Sequence, residues 1–298
     1  MFNQTANIMK RLFSLPAIGL ILTMLLTYKI TAAQTYFTAE VVGKGKPMIL
    51  IHGLYCNGDV WKETVERYKK DYECHIITLA GFGGNAPQLN DHFLESVKDD
   101  IINYVKTKKL KKPVVMGHSM GAFLSLWVAA SGPGLFDKAI AVDGAPFLAA
   151  LAMPGATPES AKPMALNMKN GMASQTPDQV YEYQKANLPN MVTSSERVLQ
   201  VAEIAKKADS PTQAEVMYEL FTIDLRKTVA TIDCPVLVLG AWIAYKGYGA
   251  THDSVLKNHT DQLALVKNAK VELNDSAKHF IFYDDPQWFY DKVDAFLK

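Results

Sequence analysis

Short, almost wholly apolar runs recur along the chain at Tyr36–Val42, Pro47–Ile51, Cys74–Leu79, Pro113–Gly117, Lys138–Val142, Pro235–Gly240 and Val271–Leu273. Runs this short, bounded by glycine, proline or polar residues, predict strands covered on both faces. Between them, Trp61–Lys70, Phe93–Lys106, Ala122–Ala130 and Pro286–Leu297 carry apolar residues at helical spacing. Strands alternating with helices predict a mostly parallel sheet with helices on both sides. From Phe147 to Ile232 the strand pattern vanishes and helical segments replace it. Thr157-Pro158, Thr176-Pro177 and Ser210-Pro211 each read as an N-cap followed by proline at the first helical position. Met153, Met164, Met168, Met172, Met191 and Met217 fall in this block, where they line an adaptable apolar pocket or simply pack helices together.

The first 33 residues follow a different pattern. Lys10 and Arg11 precede an apolar stretch from Leu12 to Tyr28, and Thr31-Ala32-Ala33 supplies small residues before Gln34. This is the layout of a secretory signal, and the expectation is an exported protein, periplasmic or secreted, with no stable membrane span after cleavage. The alternative is an uncleaved N-terminal anchor, because the stretch approaches the short end of a membrane span. Cleavage removes Lys10, Arg11 and Lys29 with no acidic residue, which turns a formal charge of +1 into about −2. No basic stripe with interleaved aromatics appears, which argues against nucleic acid as a partner. The remaining chain, about 265 residues, suffices for one α/β core plus an insertion. Cys56, Cys74 and Cys234 allow at most one disulfide, and no His, Cys and carboxylate set has metal-ligand spacing.

Candidate chemistry begins at Val114-Val115-Met116-Gly117-His118-Ser119-Met120-Gly121, a strand turning through G-x-S-x-G into a helix. A serine at so sharp a turn sits in a strained conformation that lifts its hydroxyl into the open, and side chains at either glycine would collide with the turn. The Met120 N–H then lies at a helix N-terminus, placed to stabilise an oxyanion. A second strand, Pro47–Ile51, ends in His52-Gly53-Leu54, and the Leu54 N–H is the natural second donor. Both loops open beyond the carboxyl ends of parallel strands, where α/β sheets bind ligands. Near the C-terminus, the strand Ala269–Leu273 leads to Ala277-Lys278-His279-Phe280, which makes His279 the candidate base. His52 and His118 read as structural, His75 as a satisfied core or edge residue, and His92, His252 and His259 as polar-surface residues without a catalytic role.

Taken in order, these motifs resemble the α/β-hydrolase family over roughly residues 35–298, and in particular its capped serine hydrolases, the esterases, lactonases and S33-type peptidases. The resemblance implies a sheet of the eight-stranded type, a core at 34–147 and 231–298, and a helical cap at 148–230 inserted after the sixth strand. It implies a Ser119–His279 pair oriented by a carboxylate, and no cofactor. The commonest acid position, just after Pro235–Gly240, is empty here: Ala241-Trp242-Ile243-Ala244-Tyr245-Lys246-Gly247-Tyr248-Gly249 contains no acid. The first acid beyond is Asp253. The rival is Asp143, at the end of the strand after the nucleophile helix, an alternative position used by some members, and it is preferred because it needs no rearranged loop. Tyr55, Phe147 and Trp242 are the expected substrate contacts.

The expectation is therefore an exported serine hydrolase that cleaves a small to medium, largely apolar carboxylic ester, lactone or amide through an acyl-enzyme. An S33-type aminopeptidase is the alternative enzyme, with Glu182, Glu196 or Glu203 available to bind a free amine. The alternative of another class is a non-catalytic ligand-binding protein on the same scaffold. Epoxide hydrolases and haloalkane dehalogenases of this fold carry aspartate where Ser119 stands.

Overall fold

Apolar residues two apart along each strand divide between two opposite layers, as period-2 side-chain alternation requires. In the computed structural model, which describes residues 35–298, Ile49, Ile51, Ile77 and Val115 join one buried cluster. Met48, Leu50, Ile76, Val114 and Met116 join the other. The strands between these layers are β1 (Phe37–Gly43), β2 (Lys46–Ile51), β3 (Tyr72–Leu79), β4 (Val114–His118), β5 (Lys138–Val142), β6 (Val236–Ala241) and β7 (Ala269–Asn274). They form one sheet in the order β1-β3-β2-β4-β5-β6-β7, with β1 antiparallel to β3 and every other pair parallel. The sheet thus has seven strands among the described residues, one fewer than the eight-stranded type, and the helical block follows the fifth of them.

The order locates the chemistry. The chain leaves β2 for β3 on one side and returns to β4 on the other, so a crevice opens where the carboxyl ends of β2 and β4 meet. Ile51 and Gly117 are register partners there, and the next residues of the two strands are His52-Gly53 and His118-Ser119.

One face is covered by α1 (Lys62–Tyr68) and by the C-terminal α11 (Pro286–Leu297), the other by α2 (Phe93–Thr107) and α3 (Met120–Ser131). Nearly every residue of α3 is buried, which is why its sequence lacks a polar stripe. The insertion contains α4 (Leu148–Ala152), α5 (Pro158–Ala173), α6 (Pro177–Asn187), α7 (Ser195–Ala205) and α8 (Ser210–Thr222). Thr157 and Thr176 cap α5 and α6 with proline following, as their sequence predicts. At α8 the cap is Asp209, whose carboxylate accepts the Thr212 N–H at 2.9 Å, while Ser210 lies inside the helix and donates to the Gln175 carbonyl. Downstream lie α9 (His252–Gln262) between β6 and β7, and the short α10 (Ile281–Asp284) before α11. No helix among the described residues is long and apolar enough to cross a membrane. The expected signal segment lies outside the described residues.

Candidate active site

Ser119 joins β4 to α3 with φ 56° and ψ −113°, a region that costs a non-glycine residue roughly 1–3 kcal/mol. Close packing on both sides imposes it. A Cβ on Gly117 would lie 2.0 Å from the Gly121 carbonyl oxygen, and one on Gly121 would lie 2.1 Å from the Ile51 carbonyl oxygen, so strand, turn and helix approach each other at backbone distance. The Ser119 N–H donates to the Val142 carbonyl at 2.9 Å, which pins the turn to the end of β5. Met120 opens α3, and its N–H therefore has no intrahelical acceptor.

The loop after β2 is held by His52. Its Nε2 accepts the Leu79 N–H at 3.1 Å, so the proton sits on Nδ1, which donates to the Gly53 carbonyl at 2.7 Å. Burial pushes its pKa down to about 4, which keeps the ring neutral. The Cys56 N–H donates to the same carbonyl. Because the peptide is trans, the Leu54 N–H points away from these two donors. The loop touches the elbow: a Cβ on Gly53 would lie 3.1 Å from Ser119 Cβ. Sequence reasoning reads His52 as structural without its partner, since Leu79 lies far along the chain, and it misses Asn274, whose bonds to Ser276 and Ala277 are local and whose signal is an asparagine opening a turn.

Asp143 and His279 meet, with Oδ2 2.5 Å from Nδ1. Asp143 is buried at the end of β5 with φ 47°, its N–H bonded to the Leu239 carbonyl and its Oδ1 accepting the Ala241 N–H at 2.7 Å. One bond from its backbone and one to its carboxylate fix this residue to β6. His279 is delivered by a turn that Asn274 organises, its Oδ1 accepting the Ser276 and Ala277 N–H groups. His118 packs its ring on His279 with centroids 4.5 Å apart and donates from Nε2 to the His279 carbonyl at 3.0 Å. Its Nδ1 has no partner among the described residues, and burial together with the neighbouring His279 holds its pKa well below the ordinary value. His259, expected on a polar surface, is instead buried, and burial lowers its pKa despite the nearby Asp143 charge. Tyr245 faces the same carboxylate, and burial raises its phenol.

The remaining candidates separate. Asp253 stands exposed in the first turn of α9 and pairs with His252 at 3.2 Å. Tyr55, in a positive-φ conformation beside Leu54, donates its hydroxyl to Met172 Sδ at 3.6 Å and so reaches the helical insertion. Phe147 is not a substrate contact: its side chain exposes no surface, lies in the core cluster and carries the Arg226 guanidinium over its ring. Trp242 directs its indole N–H to Asp275 and packs edge-on to His252. Met153, Met164, Met168 and Met217 pack against the core, and Met191 is exposed. All three cysteines are free and buried. Among the described residues no three His, Cys, Asp or Glu side chains are grouped to hold a metal ion. A cleft of about 600 Å³ between α2, α5 and α8 is lined by residues such as Trp127, Lys169 and Glu215, and includes neither Ser119 nor His279.

The chain is similar to known hydrolases along most of its length. It is 25% identical over 260 residues to a pimeloyl-[acyl-carrier protein] methyl ester esterase of Aliivibrio fischeri, covering 87% of this chain and 96% of that protein. An enol-lactonase from Burkholderia xenovorans shares its fold with a TM-score of 0.69 at 18% identity, over 88% of this chain and 96% of the other. A carboxylesterase structure from Nitrososphaera gargenis gives 0.71 at 17% identity, over 88% and 93%. The model of the alpha/beta hydrolase family matches residues 48–292, most of the chain, and the chain belongs to that family.

Proposed function

We propose that this hydrolase uses Ser119 as a covalent nucleophile to cleave a small to medium, largely apolar carboxylic ester, lactone or amide. The observation that carries the reading is the 2.5 Å contact between Asp143 and His279, which lie at the same crevice as the strained serine turn. In this scheme His279 takes the serine proton as the hydroxyl attacks the carbonyl and returns a proton to the leaving group. Asp143 fixes the imidazole tautomer, since its Oδ2 accepts from Nδ1 and leaves Nε2 as the base. The N–H groups of Leu54 and Met120 hold the tetrahedral oxyanion, a term worth about 3 kcal/mol per donor in a comparable enzyme. Water then hydrolyses the acyl-enzyme.

An ester is the preferred substrate class. The Aliivibrio fischeri relative bears the name of a methyl ester esterase, and the acidic residues considered for an aminopeptidase are paired elsewhere or stand on an exposed helix face. Glu182 and Glu203 pair with Lys185 and Lys206 on the exposed faces of their own helices, and Glu196 stands exposed in the first turn of α7. The helical insertion serves as a cap, and Tyr55 links the oxyanion loop to it through Met172. The protein acts outside the cytoplasm after removal of its first 33 residues, a reading supported by Lys10, Arg11, the apolar stretch and the small residues before Gln34.

A fluorophosphonate probe tests the chemistry directly. The adduct is expected on the Ser119 peptide and absent in Ser119→Ala; labelling of that variant, or none of a wild-type protein that hydrolyses esters, overturns the assignment. N-terminal sequencing of protein from the native envelope is expected to begin near Gln34, and an intact Met1 in a membrane fraction would establish an anchor instead.

A further inference from the structure

The backbone on both sides of His279 is bonded to one short stretch of the helical insertion. The Phe280 N–H donates to the Met191 carbonyl at 3.1 Å. On the other side, the Lys278 N–H donates to Asp284 Oδ2 at 3.0 Å, and the same carboxylate accepts the Thr193 N–H at 2.8 Å and the Thr193 hydroxyl at 3.1 Å. Lys278 Nζ reaches the Pro189 carbonyl at 2.6 Å. Residues 189–193, between α6 and α7, therefore grip the histidine turn at three points, and Asp284 is the group that two of its backbone N–H donors share.

We propose that Asp284 is a positioning residue that ties the insertion to His279, so that the alignment of the imidazole depends on where the insertion sits. This rests on the reading of His279 as the base. The physical case is one of degrees of freedom. Asp143 and His118 hold the ring and the carbonyl of His279, but the φ and ψ of its neighbours are set by bonds to Met191 and, through Asp284, to Thr193. If residues 189–193 move outward, the Phe280 N–H loses its acceptor, Asp284 loses two donors, and the turn that carries the ring is released. Displacement of a catalytic group by about 1 Å costs up to about 100-fold in rate, so a loosened turn lowers turnover without any contact between Asp284 and substrate. A carboxylate held by backbone donors, with no cation among its bonds, suits such a tie, because charge-assisted bonds of this kind are the stronger ones.

The test combines kinetics with a signal that does not depend on turnover. The ring proton shared by His279 and Asp143 is expected to give a far-downfield proton resonance, assigned by its loss in His279→Ala. In folded Asp284→Ala this resonance is expected to broaden or vanish, and kcat for a small ester to fall about tenfold with KM changed less than about twofold. Asp284→Asn, which keeps one acceptor oxygen, is expected to be intermediate, and it carries the test if the alanine variant does not fold. A folded variant with unchanged resonance and kcat overturns the proposal, even where its melting temperature drops. If the resonance is lost in the variant but wild-type protein hydrolyses no ester, the tie stands and the catalytic reading fails.

Discussion

Ser119 keeps its positive φ because the backbone around it has nowhere else to go. Gly121 lies against the Ile51 carbonyl so closely that the methyl group of Gly121→Ala would sit 2.1 Å from the oxygen and 2.8 Å from that of His52. Relief requires α3 to move off β2, so this substitution is expected to destabilise the protein by more than about 2 kcal/mol, read by denaturant titration, or to abolish folding. The acid is a second residue-scale matter. Asp143 is buried and bonded to both Ala241 N–H and His279, whereas the Asp253 side chain stands in solvent. Asp143→Asn preserves shape but presents an amide to Nδ1, which disfavours the productive tautomer; a loss on the order of 10⁴ in kcat is expected with the fold retained, as in a serine protease altered the same way. Asp253→Asn is expected to turn over within about twofold of wild type. The opposite ranking in an ester assay would move the acid to the α9 loop.

At the scale of elements, what each signal depends on decides whether it is legible in the sequence. The strands are legible because a run such as Val114–Met116 is buried on both faces wherever it pairs, and the elbow is legible because its pattern is compact: Gly117 answers to the Gly121 carbonyl within the same turn, although Gly121 itself answers to β2. The helix caps are nearly so. At α8 two residues compete to begin the helix, and Asp209 wins with a carboxylate that accepts both the Thr212 N–H and its hydroxyl. Asp209→Ala is expected to cost about 1 kcal/mol in denaturant unfolding, and Ser210→Ala less, because Ser210 gives up only its single bond to Gln175. The reverse order would restore Ser210 as the cap. What remains illegible is long-range. Nothing near His52 announces that its ring accepts the Leu79 N–H, and nothing near Phe147 shows that its ring lies beneath Arg226 rather than facing a substrate. The polar neighbours of His259 likewise conceal a buried side chain, because α9 turns that one residue toward Gly240.

The protein encloses four histidines that burial keeps neutral, and this makes its stability depend on pH with a definite sign. Burial lowers the pKa of His52 to about 4, and lowers those of His118, His259 and, against the pull of Glu73, His75 as well, whereas in the unfolded chain each titrates near 6.5. Above that value both states are neutral and the full stability is present. As pH falls below it, the unfolded chain binds protons that the folded one refuses, so stability is lost, by about 1.4 kcal/mol per pH unit for each histidine in the window. His52 alone accounts for about 3 kcal/mol between its unfolded and folded values. Glu219 opposes this. Its carboxylate accepts the Phe93 and Leu94 N–H groups at the start of α2, yet burial raises its pKa to about 7, so the folded state holds a proton that the unfolded state has lost between 4.5 and 7. That contribution grows as pH falls, but it is one group against four. Unfolding free energy is therefore expected to drop from pH 7 to pH 5, and the slope, rather than the absolute stability, to flatten in His259→Gln by up to one proton's worth. A free energy that stays level or rises toward pH 5 would mean that the buried carboxylate outweighs the histidines, and that the elbow and oxyanion loop tolerate charge on His118 and His52.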